Sequence, residues 1–202
     1  MSRFVLVLLL AASVAALVSS CSAIDKHVPP VYDIRGKRVF VVPFRYGNHW
    51  HYDSKEGNRL GQSLEVALQS DCGGLETVRD RPVHEMIRRD LSDEVDWLAY
   101  GRRVMVDYLI VGEIEELGYD TPEFVGMFQG RIRLRYEVWN IRAGDRGYVR
   151  QVELRVPENP ESGEVYISFE QTKDEIETAL LAEAGRRIAG HLCGYTQKGL
   201  PK

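Results

Sequence analysis

The sequence predicts an α/β domain in which helices pack on a mixed sheet and an antiparallel hairpin comes late in the chain. Three observations lead to this fold class. The run at 38–44 places apolar residues on both faces, as a strand buried on both sides does. Residues 131–138 and 152–156 alternate apolar and polar side chains, which is typical of strands with one wet face. An apolar helical stripe at 176–192 must be buried, most simply on the sheet.

The other elements follow from the same periodicities and from helix-capping and turn residues. In chain order the sequence predicts a strand at 38–44, a helix at 57–70 ended by Gly73-Gly74, a strand at 75–78, a helix from Asp80, a short helix capped by Ser92-Asp93, a strand from Tyr108 to Ile114, the strands at 131–138 and 152–156 joined by a turn at 144–147, and a last helix in which Thr172 and Glu175 have capping-box spacing.

The chain starts with Met1-Ser2-Arg3, and an uncharged run from Phe4 to Val18 follows. A positive start, a short apolar core and then small residues are typical of a secretory signal peptide. The run is short for a membrane-spanning helix, which needs about 20 apolar residues. We therefore interpret 1–20 as a cleaved signal, with a retained membrane anchor as the alternative.

The segment Val18-Ser19-Ser20-Cys21 resembles the lipobox of bacterial lipoproteins, although Leu is commoner than Val at its first position. The resemblance implies that Cys21 is lipidated, becomes the first residue of the mature chain and anchors it through its acyl chains. The alternative is an ordinary cleaved signal with a chance Cys. Asp after the Cys retains enterobacterial lipoproteins at the inner membrane, so Ser22 favours the periplasmic side of the outer membrane.

Residues 21–36 are interpreted as the lipidated Cys and a tether, because Pro29-Pro30 favours an extended chain and no hydrophobic period is present. Residues 196–202 are interpreted as a frayed tail. The remaining 37–195 form a single α/β domain, since a mature chain of about 180 residues is enough for one core.

Cys72 and Cys193 remain after the signal is removed. The inferred compartment is oxidising, so these residues could form a disulfide if their Cα atoms come within bonding range. The alternative is a pair of small buried thiols. The sequence leaves both interpretations open.

The loop His49-Trp50-His51-Tyr52-Asp53 follows the first strand, at the end of an open α/β sheet where ligands often bind. His-x-His suits zinc, but zinc sites need three or four ligands and no third ligand is evident nearby, so no metal site is predicted. We interpret His49, Trp50, His51 and Tyr52 as an exposed aromatic loop or as a partner-binding patch, because Trp and Tyr favour interface cores.

Arg131, Arg133 and Arg135 share the wet face of one predicted strand. A basic stripe of this kind could bind an anionic polymer or glycan, and a solvated sheet face is the simpler alternative.

No motif predicts catalytic residues or a cofactor. The chain has no Gly-x-Ser-x-Gly elbow and no Gly-rich phosphate loop, and His84-Glu85 lacks the second His of a metalloprotease helix. The formal net charge of −4 gives no electrostatic case for a nucleic-acid partner.

Several stretches carry a family resemblance. They are 38–44, Gly61 with Leu64 and Leu68, 78–81, 106–114 and the carboxy-terminal helix. They resemble a family of bacterial envelope lipoproteins whose domain is like the amino-terminal domain of TolB, also called anticodon-binding-like. Members include the lipoproteins of curli secretion, of Pel polysaccharide export and of penicillin-binding-protein activation. The resemblance covers most of 38–195 and implies an assembly or binding protein without catalytic residues.

This resemblance gives the leading hypothesis, an outer-membrane-anchored periplasmic lipoprotein that acts by protein contacts in envelope assembly or export. It implies a membrane contact through the N-terminal lipid and envelope protein partners, with a homo-oligomer as an open question. A pore is not expected, because no stretch alternates long enough for lipid-facing strands of about 9–11 residues. The alternatives are a module that binds peptidoglycan or exported polysaccharide, and an envelope enzyme.

Overall fold

The computed structural model describes residues 26–46, 54–78, 95–120, 129–156 and 173–197. In chain order the elements are β1 (Lys26–Val28), β2 (Arg38–Val41), β3 (Arg45–Tyr46), α1 (Lys55–Asp71), β4 (Glu76–Thr77), α2 (Trp97–Arg103), β5 (Tyr108–Asp120), β6 (Gln129–Asn140), β7 (Asp145–Val156), α3 (Lys173–Cys193) and β8 (Tyr195–Gln197). The predicted signal peptide, Cys21, the His49–Tyr52 patch and the helix predicted from Asp80 lie outside the described residues.

The main sheet has the strand order β4-β2-β5-β6-β7, and β3 pairs with β5 farther along that strand. β2 is parallel to β4 and β5, whereas β6 is antiparallel to β5 and β7. The predicted fold class, a mixed sheet with helices packed on it and a late antiparallel hairpin, is confirmed. A separate ribbon pairs β1 with β8.

Helices cover both faces of the sheet, because neighbouring residues of β5 point to opposite sides. Ile110 is buried with Leu64 of α1 and Leu180 of α3. Leu109 faces the other way and is buried with Tyr100 of α2. The apolar residues that alternate along β6 all fall on the α1–α3 face and are fully buried.

α1 confirms the helix predicted at 57–70 and begins two residues earlier. Its start is fixed by Ser54, whose Oγ accepts the Gly57 N–H at 3.0 Å. A side-chain oxygen at this position satisfies one of the amide groups that the first helical turn leaves without a partner. Leu60 and Leu68 then lie fully buried along one side of the helix.

The turn predicted at 144–147 is wrong, because the chain turns at 141–144. Asn140 organises this turn, since its carbonyl oxygen accepts the Gly144 N–H at 2.9 Å and its Oδ1 accepts the Ala143 N–H at 2.9 Å. Gly144 has a φ of 78°, which glycine adopts without a Cβ clash. β7 therefore starts at Asp145, and β6 and β7 form a hairpin of two 12-residue strands.

The tether predicted at 21–36 is wrong for 26–36, which we call the strap. The amide groups of Val31 and Tyr32 donate to the His191 carbonyl oxygen at 2.8 and 3.2 Å, and Ile34 donates to Leu192 at 3.2 Å. The last turn of a helix leaves such carbonyl groups without intrahelical partners, and the strap amides donate to them instead. Ile34 is fully buried in the main core. The predicted tail is likewise wrong at Thr196, which lies in β8 opposite the strap.

These contacts define two ends of the domain. At the strap end, the strap meets the carboxyl ends of α1 and α3 and the starts of β2 and β5. There the Tyr32 ring meets the edge of Tyr108 at 5.9 Å, and a Cβ on Gly74 would lie 3.8 Å from Gly36. At the opposite end, which we call the loop end, α1 and α3 begin.

Candidate partner-binding site

α1 and α3 lie side by side and parallel, and contacts at three levels hold them together. At the loop end, Arg59 of α1 donates to Asp174 Oδ1 at 3.0 Å and to Glu177 Oε1 at 3.1 Å. Lys55 approaches Asp174 to 3.4 Å. Hydrogen bonds from Arg59 and Lys55 hold the pKa of the Asp174 carboxyl below its usual value.

Glu177 joins this level to the sheet. Its side chain is nearly buried, and the Tyr119 hydroxyl of β5 donates to its Oε2 at 2.7 Å. Burial and this bond raise the pKa of Tyr119, so the phenol keeps its proton. Lys173 Nζ lies 4.7 Å from the centre of the Tyr119 ring, a cation–π contact. Glu177 thus has the hydrogen-bond donors that a desolvated carboxylate requires.

The two helices touch backbone to backbone at their middle level. A Cβ on Gly185 of α3 would lie 2.8 Å from the carbonyl carbon of Ser63 of α1, so glycine is required for this approach. At the strap end, Cys72 and Cys193 form a disulfide with a Cα–Cα distance of 5.3 Å. The helix pair is therefore fixed at both ends and in the middle.

An open groove of about 430 Å³ runs along the outer side of this helix pair. Val66, Ala67, Leu181 and Ala182 give it an apolar surface, and the Val66 side chain is 60% exposed. The remaining lining residues are Arg59, Gln62, Ser63, Ser70, Thr178 and Arg186. The two lining arginines are already paired, Arg59 with Asp174 and Glu177 and Arg186 with Glu183 at 2.8 Å, so the groove suits an apolar partner segment.

Sequence reasoning missed this groove, because both helices were interpreted only through the apolar stripes that face the sheet. A signal for it exists in the small residues on the opposite side, Ser63, Ala67 and Ser70 of α1 and Ala182 and Gly185 of α3. Small side chains allow two helices to approach closely and leave room above the contact. The parallel pairing that brings these residues together comes only from the tertiary structure.

A second cluster at the strap end centres on His191. The Tyr136 hydroxyl lies 3.1 Å from His191 Nδ1, and Arg150 donates to the Tyr148 hydroxyl at 3.2 Å. The Tyr148 ring stacks on Tyr32 of the strap at 5.7 Å. Burial, and then the charges of Arg150 and Arg187, lower the pKa of His191 to about 4. The imidazole is therefore neutral at physiological pH, which suits a packing role.

The three arginines predicted as a basic stripe share one sheet face, but each is offset by a carboxylate. Arg131 pairs with Glu116, Arg133 lies 3.1 Å from Glu115, and Arg135 lies 3.2 Å from Glu137. The pairs of Arg131 and Arg133 are cross-strand pairs, each of which contributes roughly a few tenths of a kcal/mol. The face is an alternating lattice of charges, which is the arrangement of a solvated sheet surface.

Trp97 and Tyr100 of α2 belong to one apolar cluster with Trp139 of β6, on the same side of the sheet as the three arginines. Within the described ranges, no group of three or more His, Cys, Asp or Glu side chains is arranged to hold a metal ion. In that same part of the chain, no helix has the length and apolar character needed to cross a bilayer.

No family model and no curated protein sequence matches the chain. Among solved structures it is similar to the PelC dodecamer from Paraburkholderia phytofirmans, with 12% identity, a TM-score of 0.47 and coverage of 82% of this chain and 96% of that chain. It is similar to lipoprotein GNA1162 from Neisseria meningitidis, with 14% identity, a TM-score of 0.45 and coverage of 76% of this chain and 98% of that chain. It is also similar to the carboxy-terminal domain of LpoB from Salmonella enterica, with 12% identity and a TM-score of 0.40. That match covers 59% of this chain and 83% of that chain.

These solved structures include a bacterial lipoprotein by name, as the sequence resemblance implies. Identities this low, with TM-scores below 0.5, concern the fold and carry no activity across.

Proposed function

We propose that this chain is an envelope lipoprotein, anchored through Cys21 on the periplasmic side of the outer membrane, that binds a protein partner in assembly or export and catalyses no reaction. The observation that supports a binding role is the groove between α1 and α3. Val66 is 60% exposed beside the groove and Ala182 is partly exposed, while contacts at three levels fix the walls. A groove that is formed before binding avoids the entropy cost of ordering its walls.

The dimensions of the groove suit a short amphipathic helix. Its lining on α1 runs from Arg59 to Ser70, about 16 Å at 1.5 Å per residue. That length accommodates two to three helical turns, which would place apolar side chains at i, i+3 or i+4 and i+7 over the groove.

The anchor and the groove are tested separately. For the anchor, the full chain and its Cys21→Ser variant are expressed in a bacterial host, and their mature masses are compared. We expect a mature chain that starts at Cys21 with added acyl chains, and loss of that mass in Cys21→Ser. An unmodified mass that does not change in the variant contradicts the lipoprotein assignment.

For the groove, a photo-crosslinking amino acid replaces Val66 in the lipidated full chain in intact cells. We expect a discrete crosslinked envelope protein, whose yield falls at least tenfold when Ala182→Trp fills the groove. The matched control is Ala99→Trp, which places the same ring on the exposed side of α2 and leaves the yield unchanged. A yield that Ala182→Trp does not reduce contradicts the groove as the binding site.

A further inference from the structure

We infer that the strap end of the domain docks directly on the membrane surface and binds anionic phospholipid headgroups. This inference rests on the proposed lipidation of Cys21. It follows from the strap, which leaves little free chain between the anchor and the folded domain.

The distance between the anchor and the domain has a strict upper limit. Lys26 is already paired with Gln197 in the β1–β8 ribbon. The five peptide units from Cys21 to Lys26 span at most about 18 Å when fully extended. A domain of this size is about 40 Å across, so a lipid on Cys21 holds the strap end within less than half a domain width of the headgroups.

The strap cannot lengthen this link without breaking its contacts. The amide groups of Val31, Tyr32 and Ile34 are bonded to the end of α3, and Ile34 is fully buried. The disulfide at Cys193 then fixes the end of α3 to α1. The strap end therefore belongs to a rigid domain, and the short link alone sets its distance from the membrane.

The strap end also carries most of the exposed apolar surface. Among the described residues, the exposed large apolar side chains are Val31 (57%), Val66 (60%), Met105 (72%), Val149 (40%) and Tyr195 (40%). Val31, Met105 and Tyr195 lie at the strap end, whereas Val66 lines the groove and Val149 lies on β7 opposite Glu137 of β6. Met105 belongs there because its carbonyl accepts from Arg38 at the start of β2 at 2.6 Å. Apolar side chains and a Tyr at one end suit the headgroup region of a bilayer.

Positive charge at this end complements anionic headgroups. Lys37, Arg102 and Arg150 supply this charge, whereas Arg35 and Arg142 are offset by Asp33 and Asp107. Basic residues near the surface are attracted to an anionic membrane.

The test uses the acylated full chain in vesicles of phosphatidylethanolamine and phosphatidylglycerol that contain a nitroxide-headgroup lipid. A fluorescent amino acid is placed at Tyr195 at the strap end or, as the control position, at Glu153 on the exposed face of β7. We expect quenching at least fivefold stronger at position 195 than at position 153. The exposed pair Val31→Asp and Met105→Asp should reduce quenching at 195 by half or more, whereas the equally exposed Val66→Asp should not.

Mass spectrometry of the same sample separates the two hypotheses. If Cys21 carries no acyl chains, the proposed anchor has failed. If the chains are present and quenching is equal at the two positions, or stronger at 153, the domain does not dock by its strap end and the inference is overturned. Quenching that persists in full in the Val31→Asp, Met105→Asp variant likewise overturns the proposed surface.

Discussion

His191 shows how burial changes the chemistry of a single residue. Its ring is half buried and stacks on Tyr136 of β6. Its carbonyl oxygen accepts hydrogen bonds from the strap amides of Val31 and Tyr32. The cations Arg150 and Arg187 add to the effect of burial, and they keep the imidazole neutral in the folded chain. The residue is a packing element whose protonation opposes folding.

We predict that lowering the pH decreases the stability of the chain because of His191. Its pKa is about 4 in the folded chain against a usual value of 6.5, so the unfolded chain binds more protons between these values. The stabilisation is fully present above about pH 6.5 and is lost as pH falls toward 4. Because solvent reaches the half-buried ring, we expect a loss of about 1–2 kcal/mol rather than the full value of the shift.

Urea denaturation between pH 7.5 and 4 measures this dependence. His191→Asn should flatten it, whereas His27→Asn, at an exposed position on the strap, should leave it as in the wild type. An unchanged slope in His191→Asn would assign the acid sensitivity to other groups.

At the scale of elements, the α1–α3 pair is the feature on which the groove depends. Ion pairs, a backbone contact and a disulfide each act at a different level along the two helices. The groove keeps its shape because none of the three levels can separate without loss of a specific contact.

We predict that Gly185→Ala lowers the free energy of unfolding by about 1–3 kcal/mol, despite the higher helix propensity of Ala. The added Cβ would meet the Ser63 backbone at 2.8 Å, and backbone cannot move aside as a side chain can. Gly190→Ala in the same helix is the matched control, since its Cβ would meet the exposed Tyr195 ring at 3.1 Å. Thermal melts of both variants should show a loss for Gly185→Ala alone. Equal melting temperatures would refute the close approach.

We predict that the double variant Cys72→Ala, Cys193→Ala loses about 2–5 kcal/mol of stability, because the disulfide closes a loop of 121 residues. Denaturation with and without reductant measures the effect. Reductant should destabilise the wild type by a similar amount and leave the double variant unchanged. If reductant has no effect on the wild type, the disulfide does not contribute to its stability.

At the scale of the whole molecule, the strap makes the amino-terminal segment part of the domain. It caps α3, pairs with β8 and inserts Ile34 into the core. The strap and the loop end, where α1 and α3 begin, lie at opposite ends of the domain.

We predict that Ile34→Ala lowers the free energy of unfolding by about 2–4 kcal/mol, as expected for a fully buried side chain. Val31→Ala, three residues earlier and largely exposed, should change it by less than about 0.5 kcal/mol. Chemical denaturation of the two variants decides between a strap and a tether. Equal and small effects of both variants would support the interpretation of 26–36 as a tether.

The sequence by itself determined the fold class and most element positions, since strands such as β6 and helices such as α1 bury one apolar face whose period is visible in the chain. It also identified Cys72 and Cys193 as candidates for a pair, without deciding whether they meet. Local patterns of this kind indicate which face of a segment is buried, and they do not indicate which other segment packs against that face.

Only the tertiary structure decided the strap, the groove and the charge balance of the sheet face. Ile34 has no periodic context, because a single residue enters the core and its flanking amides bond to carbonyl groups more than 150 residues away. The groove needs two helices 115 residues apart to lie parallel, and Arg131 and Arg133 are neutralised by carboxylates of a different strand. The strap, the groove and these ion pairs all depend on contacts between residues distant in sequence, which form only when the whole domain packs.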